Sequence, residues 1–390
     1  MGKGKENDHE LSCKKYGVPL YGAAWVPSSA LPAKSDTQTP SKPLVFLAGG
    51  GGDGHSGIPN ALLLSAFDPD SSSLSDQPVA KLGTGSDLPY RIAVHPGEDG
   101  VICSFPKNCK LFEWDSETST DDQSLSLKSS EKLLEPLEEE DVVQQLALTF
   151  NSEGTLLAAG DEDGKLRVFK WPTMETLLSE ATGHSSVKDL DFSPDGKFLA
   201  SVGGSGPGRI WDVESSSSRA SLPKENGEIF GFCRFSRSTD TDQVLYTTTV
   251  RDKGGSIVKW NPTSWKRISS TYVSRDPISA FNVSPDGKLL AIGTIQGDIL
   301  IISSANMRVQ TVTKKAHLGL VTALAFAPDS RALVSASLDS SSRVTLIKDA
   351  KKGGGINLWI ILFFILLAVA LYYAKDSGYI SLQQLKYMNH

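Results

Sequence analysis

The chain reads as all-β: a seven-bladed β-propeller built from four-stranded blades, followed by a single C-terminal transmembrane helix. Three observations predict this. One short phrase recurs through most of the chain at steps of 42 to 56 residues. Strand-length apolar runs ahead of the first copy supply most of one further blade. After the last copy comes Ile356–Ala374, nineteen residues without a formal charge.

The phrase is an apolar residue, a small or polar one, proline, an acid, glycine, a polar residue and then apolar residues. It is clearest as Phe192-Ser-Pro-Asp-Gly-Lys-Phe-Leu-Ala200 and Val283-Ser-Pro-Asp-Gly-Lys-Leu-Leu-Ala291. Looser copies start at Val94, Phe150 and Phe326, and a degraded one at Phe235. A period of about 40–45 residues is that of a propeller blade. Proline presets φ and glycine takes positive φ without a steric cost, so Pro-Asp-Gly makes a tight turn between two strands. Third strands end near aromatics, as in Val168-Phe-Lys-Trp171 and Ile210-Trp-Asp212. Gly183-His184 and Ala316-His317 stand just before two blades, where WD repeats carry Gly-His. These marks make the propeller one of WD-repeat type. Six copies do not close a ring. The strands before Phe67 provide the seventh blade, and Arg343–Ile347 is expected to pair near them and hide the sheet edges.

In chain order, residues 1–15 read as a disordered arm and 16–350 as the propeller. Tyr16–Val26 is extended, and Ser28–Pro43 is a Ser/Pro/Thr-rich loop. The apolar run Leu44–Ala48 leads into Gly49-Gly-Gly-Gly-Asp-Gly-His-Ser-Gly-Ile-Pro-Asn60, and a second run, Ala61–Phe67, follows. A plain hairpin needs one or two glycines, so this density marks a loop with a task of its own. It imitates two phosphate-binding motifs. However, His55 stands where a P-loop needs lysine, and Pro59 with a strand-like run follows where both motifs need a helix. The long step between Val94 and Phe150 holds an insertion, Ser116–Asp141, rich in Asp and Glu. It reads as a solvated loop between strands. Asp161–Asp163 reads as a hairpin turn, since no twelve-residue calcium loop follows.

Net charge is −6, which gives no basic footprint for nucleic acid. The four cysteines, Cys13, Cys103, Cys109 and Cys233, lack zinc-site spacing and read as free thiols. No Ser, Cys and His constellation suggests covalent catalysis. A helix of nineteen residues at ~1.5 Å per residue matches a hydrocarbon core of about 30 Å. Trp359 stands near one end and Tyr372 and Tyr373 at the other, where rings favour the headgroup zone. Gly353–Gly355 separates it from the preceding domain. Arg343, Lys348, Lys351 and Lys352 precede the run, so the propeller side is expected to be cytosolic and residues 375–390 lumenal. No apolar run marks the N-terminus, so no signal peptide is expected.

A WD-type propeller, one C-terminal span, a short tail and an early Gly49–Asn60 loop together resemble the Sec-twelve family along essentially the whole chain. Lys15-Tyr-Gly-Val-Pro and Leu82-Gly-Thr-Gly-Ser-Asp-Leu-Pro-Tyr90 look like its plant members. The resemblance implies a single-pass protein of the endoplasmic reticulum membrane. It implies a guanine-nucleotide exchange factor for the small GTPase Sar, which starts COPII assembly and transport to the Golgi. It also implies a loop organised around a potassium ion, with Gly49, Gly50, Gly51, Gly52 and Gly57 offering backbone carbonyls. Ile58, Pro59 and Asn60 would then act on the GTPase switch, Ile58 as an apolar tip and Asn60 as a polar one. No covalent chemistry is implied. The competing reading is a non-catalytic membrane scaffold, or an export helper for specific cargo such as phosphate transporters. A third is an enzyme with its site in the propeller channel.

Overall fold

The computed structural model describes residues 13–31, 42–52, 56–119, 122–132, 134, 137, 143–181, 183–237, 243–347 and 358–376. The chain forms two units, residues 1–347 and 348–390. The first is a ring of seven antiparallel sheets. Blade 1 runs Leu20–Trp25, Leu44–Gly49, Asn60–Asp68 and Ala80–Gly85 from the axis outward. Blades 2 to 6 follow with inner strands Arg91–Val94, Gln145–Phe150, Val187–Phe192, Ile229–Phe235 and Ile278–Val283. Blade 7 takes Val321–Phe326, Ala332–Ser337 and Ser341–Leu346 from the end of the unit. Its outermost strand is Cys13–Lys15, paired Cys13 to Arg343 and Lys15 to Ser341.

The closure thus joins the two ends of the unit as expected, with the roles exchanged. Ser341–Leu346 is an ordinary third strand, and residues 13–15, set apart in the arm by the sequence reading, close the ring. Tyr16 continues the closure into blade 1. Its amide donates to the Ser340 carbonyl (2.9 Å), and its hydroxyl meets Ser65 Oγ (2.6 Å) and donates to the Ser75 carbonyl (3.0 Å). Burial pushes that hydroxyl up to about 12, against the Ser65 bond, so it stays a neutral donor at any physiological pH. Leu20–Trp25 packs on Val321–Phe326, where Thr322 Oγ1 donates to the Leu20 carbonyl (2.8 Å) and Trp25 Nε1 to the Ala325 carbonyl (3.0 Å).

The recurring phrase makes the turn between first and second strands. Gly154, Gly196 and Gly287 hold φ of +73°, +69° and +69° there. In the clearest copies the serine hydroxyl donates to the aspartate (Ser193 to Asp195 and Ser284 to Asp286, both 2.6 Å) and accepts the amide five residues on (2.9 Å). The apolar positions of the phrase fill the wedges between blades. Phe192 and Leu199 join Ala158 and Val168 of the neighbouring blade in one buried cluster, and Ala200 joins Phe230 and Val258 in the next.

Both His motifs are buried. His184 Nε2 lies 2.7 Å from Ser201 Oγ, which also accepts from Trp211 Nε1 (2.8 Å). His317 bridges Ser335 (2.8 Å) and Ser341 (2.6 Å) beside Asp339. Burial, with the nearby Arg209 charge, lowers His184 to about 4. The unfolded chain protonates this imidazole near pH 6.5, whereas the folded chain resists until about 4. Stability from this group is therefore complete above the unfolded value and is lost as pH falls through the window. Urea unfolding is expected to require about 2 kcal/mol less at pH 5 than at pH 7, and His184→Gln should flatten that difference. Asp339 does not interfere in this window. Burial alone would raise it, but the neighbouring His317 ring and hydrogen bonds from Ser341 and the Leu318 amide hold it well below the ordinary carboxylate range, so its contribution falls away only in stronger acid.

The acidic insertion differs from a solvated loop. Cys109–Ser119 and Asp122–Ser129 form a long hairpin, and Leu134 and Leu137 are fully buried against Phe150 and Trp171. Residues 120–121, 133, 135–136 and 138–141 of that stretch lie outside the described residues. The second unit holds one α-helix, Leu358–Asp376, of 19 residues. Among the described residues no helix is long and apolar enough to cross a membrane. The expected lumenal tail, 375–390, lies outside them from residue 377.

Candidate functional site

The connection between second and third strands is short in six blades: 105–108, 162–165, 204–207, 252–253, 295–298 and 338–340. In blade 1 it is ten residues long, 50–59. It leaves a strand whose six residues are all buried and enters another whose first six are. The base of the loop is therefore fixed by core packing.

The glycines fall into two groups. At Gly49 a Cβ would lie 2.0 Å from the Pro19 carbonyl oxygen, at Gly50 2.1 Å from Asn60 Oδ1, and at Gly51 2.1 Å from Ser56 Oγ. These three let backbone pass against backbone and side chain. Gly52 and Gly57 have open space but φ of +85° and +69°, which only glycine adopts without strain. Gly50 N donates to the Pro19 carbonyl (2.9 Å), tying the loop to the segment that runs from the closing strand.

Asn60 organises the rest. Its Oδ1 accepts from Gly52 N, and its Nδ2 donates to the carbonyls of Gly52 and Gly85, each at 3.0 Å. The amide thus pairs with the Gly52 peptide group as a neighbouring strand would, and closes the loop across its base. Asn60 is 3% exposed, so it is a clamp and not the polar tip that the sequence suggested. Ile58 is half-buried against the blade 1–blade 7 cluster that includes Val18 and Leu63, so it is not a free apolar tip. Pro59 and Gly57 are exposed. Ser56, which sequence reasoning passed over, donates to the Gly51 carbonyl (3.1 Å) and accepts from Ile58 N (3.3 Å). Gly85, the second anchor of the Asn60 amide, lies in the Leu82–Tyr90 stretch that carried part of the resemblance. Asp53, Gly54 and His55 lie outside the described residues.

The described loop offers no nucleophile and no acid–base pair. It offers neutral oxygens in one turn, namely the Gly51 and Gly52 carbonyls and the Ser56 hydroxyl. Uncharged carbonyl dipoles are the ligand type that suits an alkali cation. Among the described residues no group of three or more His, Cys, Asp or Glu side chains could hold a metal ion. In the turn where the sequence raised calcium, Asp161 Oδ1 instead accepts from Lys165 N (2.8 Å). A second concave feature is the central channel, of about 280 Å³, lined by residues of all seven blades.

A closed seven-bladed ring with buried His–Ser–Trp contacts is a WD-repeat propeller, here with one elaborated loop. The profile described as "WD domain, G-beta repeat" matches residues 308–344, and that of the "Anaphase-promoting complex subunit 4 WD40 domain" matches 149–233. SEC12-like protein 2 of Arabidopsis thaliana is 48% identical over 368 residues, 91% of this chain and 92% of its own. SEC12-like protein 1 of the same plant is 31% identical over 80% of this chain and 77% of its own. The guanine nucleotide-exchange factor SEC12 of Rattus norvegicus is 25% identical over 56% of this chain and 57% of its own. The chain belongs to the SEC12-like family.

Proposed function

We propose that this protein is a guanine-nucleotide exchange factor for a Sar-type small GTPase at the endoplasmic reticulum membrane, where it starts COPII assembly and export to the Golgi. The observation that carries the reading is the loop at 50–59. It is ten residues long where the equivalent connections have two to four, and it is clamped at its base and exposed at Gly57 and Pro59. An exchange factor performs no bond chemistry. It must hold a projecting element rigidly enough to displace a switch segment from nucleotide and Mg²⁺. A loop that is already ordered loses little entropy on docking, so more of the contact free energy goes to opening the switch. The names of the relatives in rat and mouse, guanine nucleotide-exchange factor SEC12, support the same reading.

Potassium belongs to the proposal. The carbonyls of Gly51 and Gly52 would hold it, with Gly49, Gly50 and Gly57 shaping the turn, and its chemistry would be to hold carbonyl dipoles together that otherwise repel. The anchor belongs to it as well. It rests on the sequence: the uncharged run Ile356–Ala374 has nineteen residues, which as a helix at ~1.5 Å each would reach about 28 Å, near a hydrocarbon core. The propeller would then lie in the cytosol.

The test is release of a fluorescent GDP analogue from a purified Sar-type GTPase, with the full chain in detergent micelles added in increasing amounts. Release should accelerate at least tenfold, and replacing potassium by sodium should reduce the acceleration. No acceleration at concentrations where the two proteins bind would overturn the exchange reading and leave a scaffold.

A further inference from the structure

The central channel carries charges that the loop mechanism does not use. Its lining includes Arg91 from blade 2, Asp189 and Asp191 from blade 4, and Arg234 and Arg237 from blade 5. Three guanidiniums face two carboxylates, which leaves the channel one positive charge in a chain whose net charge is −6.

The two carboxylates are committed. Asp189 Oδ2 accepts from Cys233 N (2.9 Å) and from Arg234, and Asp191 accepts from Phe235 N (2.7 Å) and from Arg237. The guanidiniums are only partly used. Arg234 donates through Nη1 alone, to Asp189, Leu190 and Cys233, and Arg237 through its two Nη atoms. Arg91 donates through Nε to the Leu146 carbonyl (2.9 Å), with its guanidinium 4.8 Å from the Tyr90 ring centroid. Arg91 has no carboxylate within ion-pair distance among the described residues. Both its Nη groups, with Nε and Nη2 of Arg234 and Nε of Arg237, meet no protein acceptor among the described residues. None of these nitrogens is sealed from solvent, and all three side chains line the channel. Five donors on three fixed forks therefore face one cavity with a surplus positive charge. A planar guanidinium fork matches the oxygen geometry of phosphate.

We propose that the central channel is a binding site for a small oxyanion of the phosphate class, with Arg91 supplying a charge that no carboxylate pairs directly. A volume of about 280 Å³ admits inorganic phosphate or a small phosphate monoester but not a folded peptide segment. The site is independent of the glycine loop, so it stands or falls apart from the exchange reading.

The probe is inorganic phosphate, titrated against the detergent-solubilised full chain by calorimetry and by thermal unfolding at constant ionic strength, with chloride as the balancing anion. Wild type should bind with a dissociation constant near or below ~1 mM, and 10 mM phosphate should raise the unfolding midpoint by about 2 °C. Arg91→Gln keeps both Arg–Asp pairs and removes the surplus charge, together with the Leu146 hydrogen bond and the contact over Tyr90. Its phosphate affinity should fall at least tenfold while its midpoint in chloride stays within ~1 °C of wild type. Arg91→Lys restores the charge without the fork and should recover part of the affinity. If Arg91→Gln unfolds early even in chloride, the Arg91→Lys titration decides in its place. Two results would overturn the site: no heat of binding by wild type at 10 mM, or an equal phosphate shift in wild type and in either variant that folds.

Discussion

Asn60→Ala is expected to reduce the acceleration of GDP release by at least tenfold at limiting exchange-factor concentration, although Asn60 itself is buried at the loop base. The substitution removes three hydrogen bonds at 3.0 Å, two to the Gly52 peptide and one to Gly85. Each contributes about 0.5–1.5 kcal/mol to holding the loop closed. The glycines around it cannot compensate, because a glycine-rich segment gains more entropy on release than any other. A loss of about 2 kcal/mol in loop order lowers the closed-to-open ratio roughly thirtyfold, and the apparent affinity for the GTPase falls with the closed fraction. Global stability should drop by only about 1 kcal/mol, since Gly52 is half-buried and Gly85 exposed, so the freed groups reach water. Preorganisation makes a second demand: excess of the variant should restore the maximal release rate. A variant that accelerates release like wild type, or one whose maximal rate stays low at saturation, contradicts the clamp role. Ile58→Ala should show the opposite balance, with a measurable stability loss from its contacts with the Val18–Leu63 cluster.

Where the chemistry is local, the sequence announced the structure. Ser-Pro-Asp-Gly makes its turn from its own side chains, so Phe192–Ala200 and Val283–Ala291 located two blades before any tertiary contact was known. Gly183-His184 and Ala316-His317 likewise marked the starts of blades 4 and 7. Ring closure was legible only as a need. Its outer strand is three residues with two lysines, Cys13–Lys15, and its partner lies more than 300 residues away. Neither alternation nor propensity singles out so short a strand. The acidic insertion misled through composition, because Leu134 and Leu137 are two residues among many charges, yet both are fully buried. Asn60 misled through position. A polar residue beside a glycine loop suggests a tip, but it opens a strand whose first six residues are buried, and a buried amide must find partners. The phrase at Phe235 looked degraded because its support comes from another blade.

That support defines the largest stability effect expected in the molecule. Phe235-Ser-Arg-Ser lacks the Pro-Asp-Gly turn of its counterparts, and the inner strand it ends is irregular between Phe230 and Cys233. Inner strands of neighbouring blades share no backbone ladder, so beyond its own pairing with Leu245–Arg251 this strand is tied to the adjacent blade by side chains. Blade 4 provides them. Asp191 is 2% exposed and holds Phe235 N (2.7 Å) and Arg237, while Asp189 holds Cys233 N (2.9 Å) and Arg234. Asp191→Ala would strand a buried amide and a partly buried guanidinium at once. Breaking such a pair from one side costs about 3–5 kcal/mol, far more than the intact pair contributes, because the remaining charge is left without a partner. Urea unfolding of Asp191→Ala should therefore show a loss of about 3 kcal/mol, the lower end, since the Arg237 side chain keeps 30% exposure. Asp191→Asn retains an acceptor for Phe235 N and should lose roughly half as much. Adding Arg237→Ala to Asp191→Ala should recover part of the loss, because the stranded charge goes with it. A single-variant loss below about 1 kcal/mol, or a double variant no better than Asp191→Ala, would mean that packing between Phe192 and Phe235 joins the two blades, with the carboxylates as bystanders.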